Sequence, residues 1–271
     1  MRRRSRDDNS VTILAYHEIC DLPKEIIHQY TYNVTPPAFR EQMEFLCKND
    51  YSVIRLEELI SCLTQNRELP QKSVVITFDD GYRSNYTNAF PVLKRYNFPA
   101  TVFLATDYIG KSEVFPWFNG LSERNQKARE NWIPLSWGEI IEMSQDNIRF
   151  GSHTCSHANI RKMSEREFGK EIEESKRVIE GKINKHVNLF SYPFSFPKYR
   201  RRYRDIINET RESLLKRGFW GACTTIIGTN SLESDPLSLK RIQIKNKRIR
   251  CSFDCYPRIQ LLSTWSIKEC H

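Results

Sequence analysis

What the chain lacks narrows the field first. No run of about 18 consecutive apolar residues occurs, so no stretch reads as a membrane-spanning helix. The basic start, Met1-Arg2-Arg3-Arg4-Ser5-Arg6-Asp7-Asp8, passes into acids and then strand-like sequence without an apolar signal segment, which points to a cytoplasmic protein. No C-x-x-C pair is present. The eight cysteines (20, 47, 62, 155, 223, 251, 255 and 270) are dispersed through 271 residues, and reduced thiols are the expectation. Cys251 and Cys255 have neither a second pair nor nearby histidines, which argues against a zinc site there. Zinc-finger, helix-turn-helix and RNP-type patterns are missing, so nucleic acid is not an expected partner. Internal repeats, low-complexity blocks and heptads are also absent, and the sequence leaves the oligomeric state open.

What is present suits one α/β domain: 39% hydrophobic residues are ample for a core at this length. The net charge of +9 is concentrated. Lys198 to Arg217 carries eight basic residues against three acids, and Lys240 to Arg250 carries six and none. Two readings stand for these stretches: a solvated face, or attraction to an acidic glycan or an anionic membrane surface in peripheral contact.

Along the chain, strand and helix patterns alternate about seven times. Val11 to His17 reads as a buried strand, and Thr35-Pro36-Pro37 as an N-cap opening a helix with Phe39, Met43 and Leu46 on one face. Ser52 to Ile54 is a short strand, followed by helical spacing of Leu56, Leu59, Ile60 and Leu63. Further strands are expected at Ser73–Phe78, Pro99–Ala105, Ile148–His153, Val187–Tyr192, Phe219–Thr225 and Leu239–Ile244. Between them, helices are expected at Asn88–Tyr96, at Trp137–Met143, after a capping box at Ser164-Glu165-Arg166-Glu167, and at Tyr203–Arg217. Trp117 and Trp132 bracket a polar segment, Leu121 to Asn131, with no core pattern. It reads as a loop insertion and a substrate wall, whose tryptophans either stack on sugar or pack locally.

The chemistry sits at strand ends. Ser73-Val74-Val75-Ile76-Thr77-Phe78 is a β-branched run of the kind buried on both faces of a parallel sheet, and it ends in Asp79-Asp80-Gly81. Two adjacent carboxylates in a partly buried place call for positive charge nearby. His153-Thr154-Cys155-Ser156-His157 sets two imidazoles four apart, which on one helical turn can reach a single ion. Two imidazoles and a carboxylate make a common catalytic zinc set with positions left open. In a parallel barrel the carboxyl ends of all strands share one face, so these motifs would form one site.

At these residues the chain resembles the polysaccharide deacetylases, carbohydrate esterase family 4. Thr77-Phe78-Asp79-Asp80-Gly81 has the form of that family's first motif, T-F-D-D-G, and His153 to His157 that of its second, H-[ST]-x-x-H. The similarity runs from about Val11 to Ile244, including Tyr16-His17 and Leu135-Ser136-Trp137. It implies a distorted (β/α)7 barrel with parallel strands over residues 11–250, between a basic tail at 1–10 and an extension at 251–271. It also implies Asp79 as general base and Asp80, His153 and His157 as ligands of one divalent ion, Zn2+ first, with Co2+, Ni2+ or Fe2+ as alternatives.

The third family motif, R-x-P-[FY], departs here: Ser191-Tyr192-Pro193-Phe194 has no arginine and resembles a branch with F-A-Y-P-Y. Arg241, in Leu239-Lys240-Arg241-Ile242, is the candidate replacement that would orient Asp79, the alternative being a surface arginine. The fifth motif, a leucine-x-histidine, has no match near the C-terminus, since Ile259-Gln260-Leu261-Leu262-Ser263 lacks the histidine. His17 is the candidate general acid in its place. Tyr192, Pro193 and Phe194, with Trp117, are the expected substrate contacts; His28, His186 and His271 lie outside every motif. The implied reaction is hydrolysis of the N-acetyl group of an amino sugar in a polysaccharide or glycolipid. Two alternatives remain at this point: an amidohydrolase of a small amide or cyclic ureide on the same barrel, and a non-catalytic carbohydrate-binding protein.

Overall fold

The structure is a computed structural model describing residues 10–22, 32–118, 126–194 and 202–245. The basic tail, the C-terminal extension, Cys251, Cys255, His28, His271 and the 259–263 segment therefore lie outside the described residues.

Among the described residues eight strands are laid down in chain order: β1 Thr12–Tyr16, β2 Ser52–Val53, β3 Ser73–Phe78, β4 Ala100–Leu104, β5 Ile148–Ser152, β6 Leu189–Ser191, β7 Gly221–Ile227 and β8 Leu239–Gln243. Every pairing between them is parallel. β1 pairs with β3 on one side and β8 on the other, so seven strands close into a ring. The short β2 stays outside it, beside the first residues of β3 (Ser52 with Ser73, Val53 with Val74), while β4 takes the far end of the same edge. This is a distorted (β/α)7 barrel, as the alternating pattern and the motifs lead one to expect.

Period-2 alternation divides the strand residues between two cores. Leu14, Tyr16, Val74, Ile76, Phe78, Val102, Leu104 and Phe190 face outward into the layer shared with α1 (Pro36–Lys48), α3 (Phe90–Tyr96), α5 (Trp137–Gln145), α6 (Glu165–Ile183) and α7 (Arg202–Lys216). Ile13, Val75, Phe103, Leu189, Cys223 and Leu239 form a second cluster inside the ring, together with Leu56, Leu59, Ile60 and Leu63 of α2 (Leu56–Gln65). Ile60 reaches Gly221, the first residue of β7, so α2 fills the amino end of the barrel. The carboxyl ends remain free for chemistry.

The local signals act as written. Thr35 caps α1, accepting a hydrogen bond from the Ala38 N–H, and Ser164 with Glu167 closes a full capping box on α6. Ser136 and Glu139 form a second capping box at α5. Three expectations need correction. The helix expected from Asn88 begins at Asn85 as a π-helical turn, Asn85–Ala89, before α3. The polar segment after Trp117 is not all loop, because Gln126–Trp132 is helical (α4). Trp132 is no wall for a substrate: it is fully buried and stacks on Phe118 at 4.8 Å.

Gly151 faces the interior of the ring, where a Cβ would stand 2.6 Å from the Phe103 ring and 2.8 Å from the Leu189 carbonyl oxygen. Because one obstacle is backbone, Gly151→Ala is expected to cost about 1–3 kcal/mol of stability in urea unfolding, with the denaturant slope unchanged.

Candidate active site

β3 delivers Asp79 and Asp80 to the open end, and the chain then turns them apart. Asp79 continues the inward parity of Val75 and Thr77, and its N–H donates to the Tyr16 carbonyl (2.9 Å). Asp80 adopts φ 71° and Gly81 φ 87°, a left-handed pair that redirects the second carboxylate. A Cβ at Gly81 would lie 2.7 Å from Leu104 Cδ2, so glycine is needed for space as well as for φ. The Gly81 carbonyl accepts from the Leu135 N–H (2.9 Å), which ties the Leu135-Ser136-Trp137 segment to this turn.

Arg241, the candidate replacement for the absent third-motif arginine, lies against Asp79. It extends from β8 into the barrel and is fully buried. Its Nη1 donates to Asp79 Oδ1 (2.8 Å) and its Nη2 to Asp79 Oδ2 (2.7 Å), a two-pronged pair. Nε donates to the Thr224 carbonyl (2.8 Å), Nη1 also to Thr77 Oγ1 (3.3 Å), and Nη2 also to Ser191 Oγ (3.0 Å). All five guanidinium donors are thereby used. The Ser191 hydroxyl in turn donates to Asp79 Oδ1 (3.2 Å). Burial alone would raise the Asp79 pKa, but the Arg241 and His153 charges outweigh it and hold the carboxyl well below its usual range.

Asp80 meets the two histidines. Nε2 of His153 and Nε2 of His157 each lie 3.4 Å from Asp80 Oδ1, and the three candidate ligand atoms are all within 4.8 Å of one another. Two atoms bound about 2.0–2.2 Å from a tetrahedral ion are separated by about 3.3–3.6 Å, so the spacing fits a shared cation. Asp80 Oδ1 is also buried without a hydrogen-bond donor, as a ligand oxygen awaiting an ion would be. His153 Nδ1 is 2.7 Å from the Ser191 carbonyl, which fixes that ring with Nε2 toward Asp80. Burial would raise the Asp80 pKa, yet the adjoining imidazoles bring it down to about 2. His157 is pushed down to about 4, chiefly by burial, and stands neutral as a ligand should.

The histidines are not on a helical turn. Residues 153–159 are irregular, with Thr154 at φ 65° and His157 at φ 54°, and these two left-handed residues bring both rings to Asp80. Glu171 of α6 holds the loop, accepting from the N–H groups of Cys155 (2.8 Å) and Ser156 (2.9 Å) and from the Ser156 hydroxyl (2.9 Å).

A cleft of about 480 Å³ opens above, of the size usual for small-ligand sites. His17, Glu18, Tyr32, Tyr82, Trp117, Phe194 and Gln243 line it together with the acids and histidines just described. Trp117 lies 4.9 Å from His157 and donates from Nε1 to the Tyr82 hydroxyl (2.7 Å). Phe194, 44% exposed, lies 4.8 Å from the same imidazole. His17 stacks on Tyr32 at 4.9 Å; its Nδ1 is buried without a partner, and burial lowers its pKa. Tyr192 borders the cleft, but its ring belongs to the core and its hydroxyl donates to the Leu237 carbonyl (3.2 Å), while Pro193 does not line the cleft. Glu18, Tyr82 and Gln243 were not signalled by any motif; only the position of Glu18 directly after Tyr16-His17 at a strand end marked it.

One member of the basic stretches is not on the surface. Arg241 is interior, and in the first stretch Arg211 pairs with Asp235 (2.6 Å), Lys216 with Glu212 (3.4 Å) and Arg217 with Glu173 (3.3 Å). Cys20, Cys47, Cys62, Cys155 and Cys223 are free thiols.

The polysaccharide deacetylase family model matches residues 66–211, more than half of the chain. The chain belongs to the polysaccharide deacetylase family. Among relatives of this hydrolase family, YxkH of Bacillus subtilis (strain 168) is 28% identical over 244 residues, 90% of this chain and 75% of that protein. The poly-beta-1,6-N-acetyl-D-glucosamine N-deacetylase of Staphylococcus epidermidis is 25% identical, over 89% of this chain and 81% of its own length. The Streptococcus pyogenes deacetylase PplD, solved in complex with acetate, superposes with a TM-score of 0.71 at 25% identity, covering 89% of this chain and 95% of its own. Polysaccharide deacetylase membership is thus supported by motif, fold and site together.

Removing the guanidinium would strand a buried carboxylate. Arg241→Met is expected to cost about 3–5 kcal/mol at pH 7. Since the folded-state pKa of Asp79 is depressed, the pair's stabilisation is complete above the unfolded value of about 3.9 and is lost as the pH falls through the folded value. The difference between wild type and variant, followed by urea unfolding, should therefore shrink below about pH 3.9.

Proposed function

We propose that the protein hydrolyses the N-acetyl group of an amino sugar in a polysaccharide or glycolipid, with one divalent ion held by Asp80, His153 and His157. The observation that carries this reading is the pairing of two differently employed carboxylates on the floor of one cleft. Asp79 is clamped by Arg241 and Ser191, and its neighbour faces two imidazoles. An ion bound there would polarise the amide carbonyl and make water acidic near neutral pH, and zinc fits this nitrogen and oxygen donor set, as would cobalt, nickel or iron.

The chain's own groups do the rest. Asp79 accepts the proton that the attacking water loses as its oxygen bonds to the acetyl carbon. Arg241 keeps that carboxylate ionised and fixed in direction. When the carbon–nitrogen bond breaks, the nitrogen must gain a proton, and His17 is the candidate donor because its ring lines the cleft with Nδ1 unpartnered. Acetate and a free amine leave. Trp117 and Phe194 flank His157 and offer apolar faces to a sugar ring. The named activity of the Staphylococcus epidermidis relative makes poly-N-acetylglucosamine the first substrate class to try.

Acetate release from N-acetylglucosamine oligomers in added zinc or cobalt is the direct assay. Asp79→Asn should lower kcat/KM by about 10²–10⁴-fold while circular dichroism shows the fold retained. No acetate from any of a broad panel of acetylated sugars, with metal bound, would refute the reading.

A further inference from the structure

Three carboxyl groups line the cleft, and two have positive charge assigned to them. Asp79 has Arg241, and Asp80 has the two imidazoles and the ion they would share. Glu18 has neither. It is 3% exposed, lines the cleft, and among the described residues only its own backbone N–H donates to its carboxyl. Its backbone is pinned: the Glu18 carbonyl accepts from the Val34 N–H (3.2 Å), and the next N–H, of Ile19, donates to Ser84 Oγ (3.1 Å). Burial, with some help from Asp80, pushes the Glu18 pKa up to about 7, as expected of a carboxylate lacking a counter-charge. Lys245 lies over the face of Tyr32, another residue of the cleft lining, 4.8 Å from the ring centre.

A second acceptor lies on the neighbouring strand. Gln243 pairs with Ala15 across β1 and β8, also lines the cleft, and its Oε1 is buried without a donor. A carboxyl short of a counter-charge and an amide oxygen without a donor ask for a ligand rich in donors. A hydroxyl would supply a hydrogen bond but no charge, whereas an ammonium group supplies both to a buried carboxylate. The nitrogen of the acetamide under attack is neutral when it binds, so it is not that cation. We infer that Glu18 is a specificity-determining residue that receives the protonated amine of a sugar neighbouring the one being deacetylated, so that the preferred substrate is a glycan already carrying free amines. This inference rests on the deacetylase reading and narrows its substrate.

Calorimetric binding to the full chain, with Asp79→Asn to prevent turnover, tests it. The probes are glucosamine oligomers of one length, either fully N-acetylated or with glucosamine at one interior position. Mixed oligomers should bind about tenfold or more tighter. The ratio should fall to about one on adding Glu18→Gln and survive in part with Glu18→Asp. Equal binding of the two oligomers, or a preference that persists with Glu18→Gln, would overturn the inference. If Glu18→Gln fails to fold, competition by glucosamine against glucose on the Asp79→Asn chain decides it, equal competition counting against. Acetate release by the chain with Asp79 intact is measured separately. Release without amine preference removes only this inference, and amine preference without release from any acetylated sugar removes the deacetylase reading instead.

Discussion

The ion pair between Arg241 and Asp79, closed inside the barrel, constrains more of this molecule than any other contact. Arg241 is fully buried and Asp79 is 2% exposed at the floor of the cleft, so the polar atoms of the pair depend on partners in the protein, and the fold is arranged to supply them. Thr77 comes from β3, Ser191 from β6 and Thr224 from β7, while β8 delivers the guanidinium at the same level. Parallel strands closing into a ring bring four distant sequence positions to one height. Beneath this layer the interior is apolar and filled with the help of α2; above it the cleft begins.

The pair also divides labour between adjacent residues. Had Asp80 continued the extended backbone of β3, alternation would have sent it out into the helical layer, away from any substrate. The left-handed turn at Asp80 and Gly81 instead keeps both carboxylates at the mouth while aiming them at different partners. Ser191 links the two halves: its hydroxyl reaches Asp79 and its carbonyl lies against His153. The clamped carboxylate and the carboxylate–histidine cluster are thus referenced to one residue of β6.

Much of this was legible from the chain because strand-end motifs have rigid surroundings. Asp79, Asp80, His153 and His157 could be placed by short-range patterns, and Arg241 by asking what could replace an absent arginine. The capping boxes and the strand and helix alternation were equally plain, since each depends on neighbours within a few residues. Other features depended on distance. That His153 and His157 lie on an irregular loop is decided by two left-handed residues and by Glu171 on the helix that follows, and i, i+4 spacing alone mimics a helix. Trp132 looked like Trp117 in sequence, yet packing on Phe118 buries it completely. Glu18 carries no motif, and its isolation is visible only once β1, β8 and the Asp80 turn are brought together.

The grip of Glu171 on the histidine loop bears on any ion bound beside it. Three donors from Cys155 and Ser156 hold the loop's course through contacts that involve none of the candidate ligand atoms. In small zinc domains the ion is the organiser, and its removal unfolds the chain. Here a helix nineteen residues long does the organising from outside the coordination sphere. The ion would enter a mould already set, so its binding energy is free to go into affinity and chemistry rather than into ordering the polypeptide.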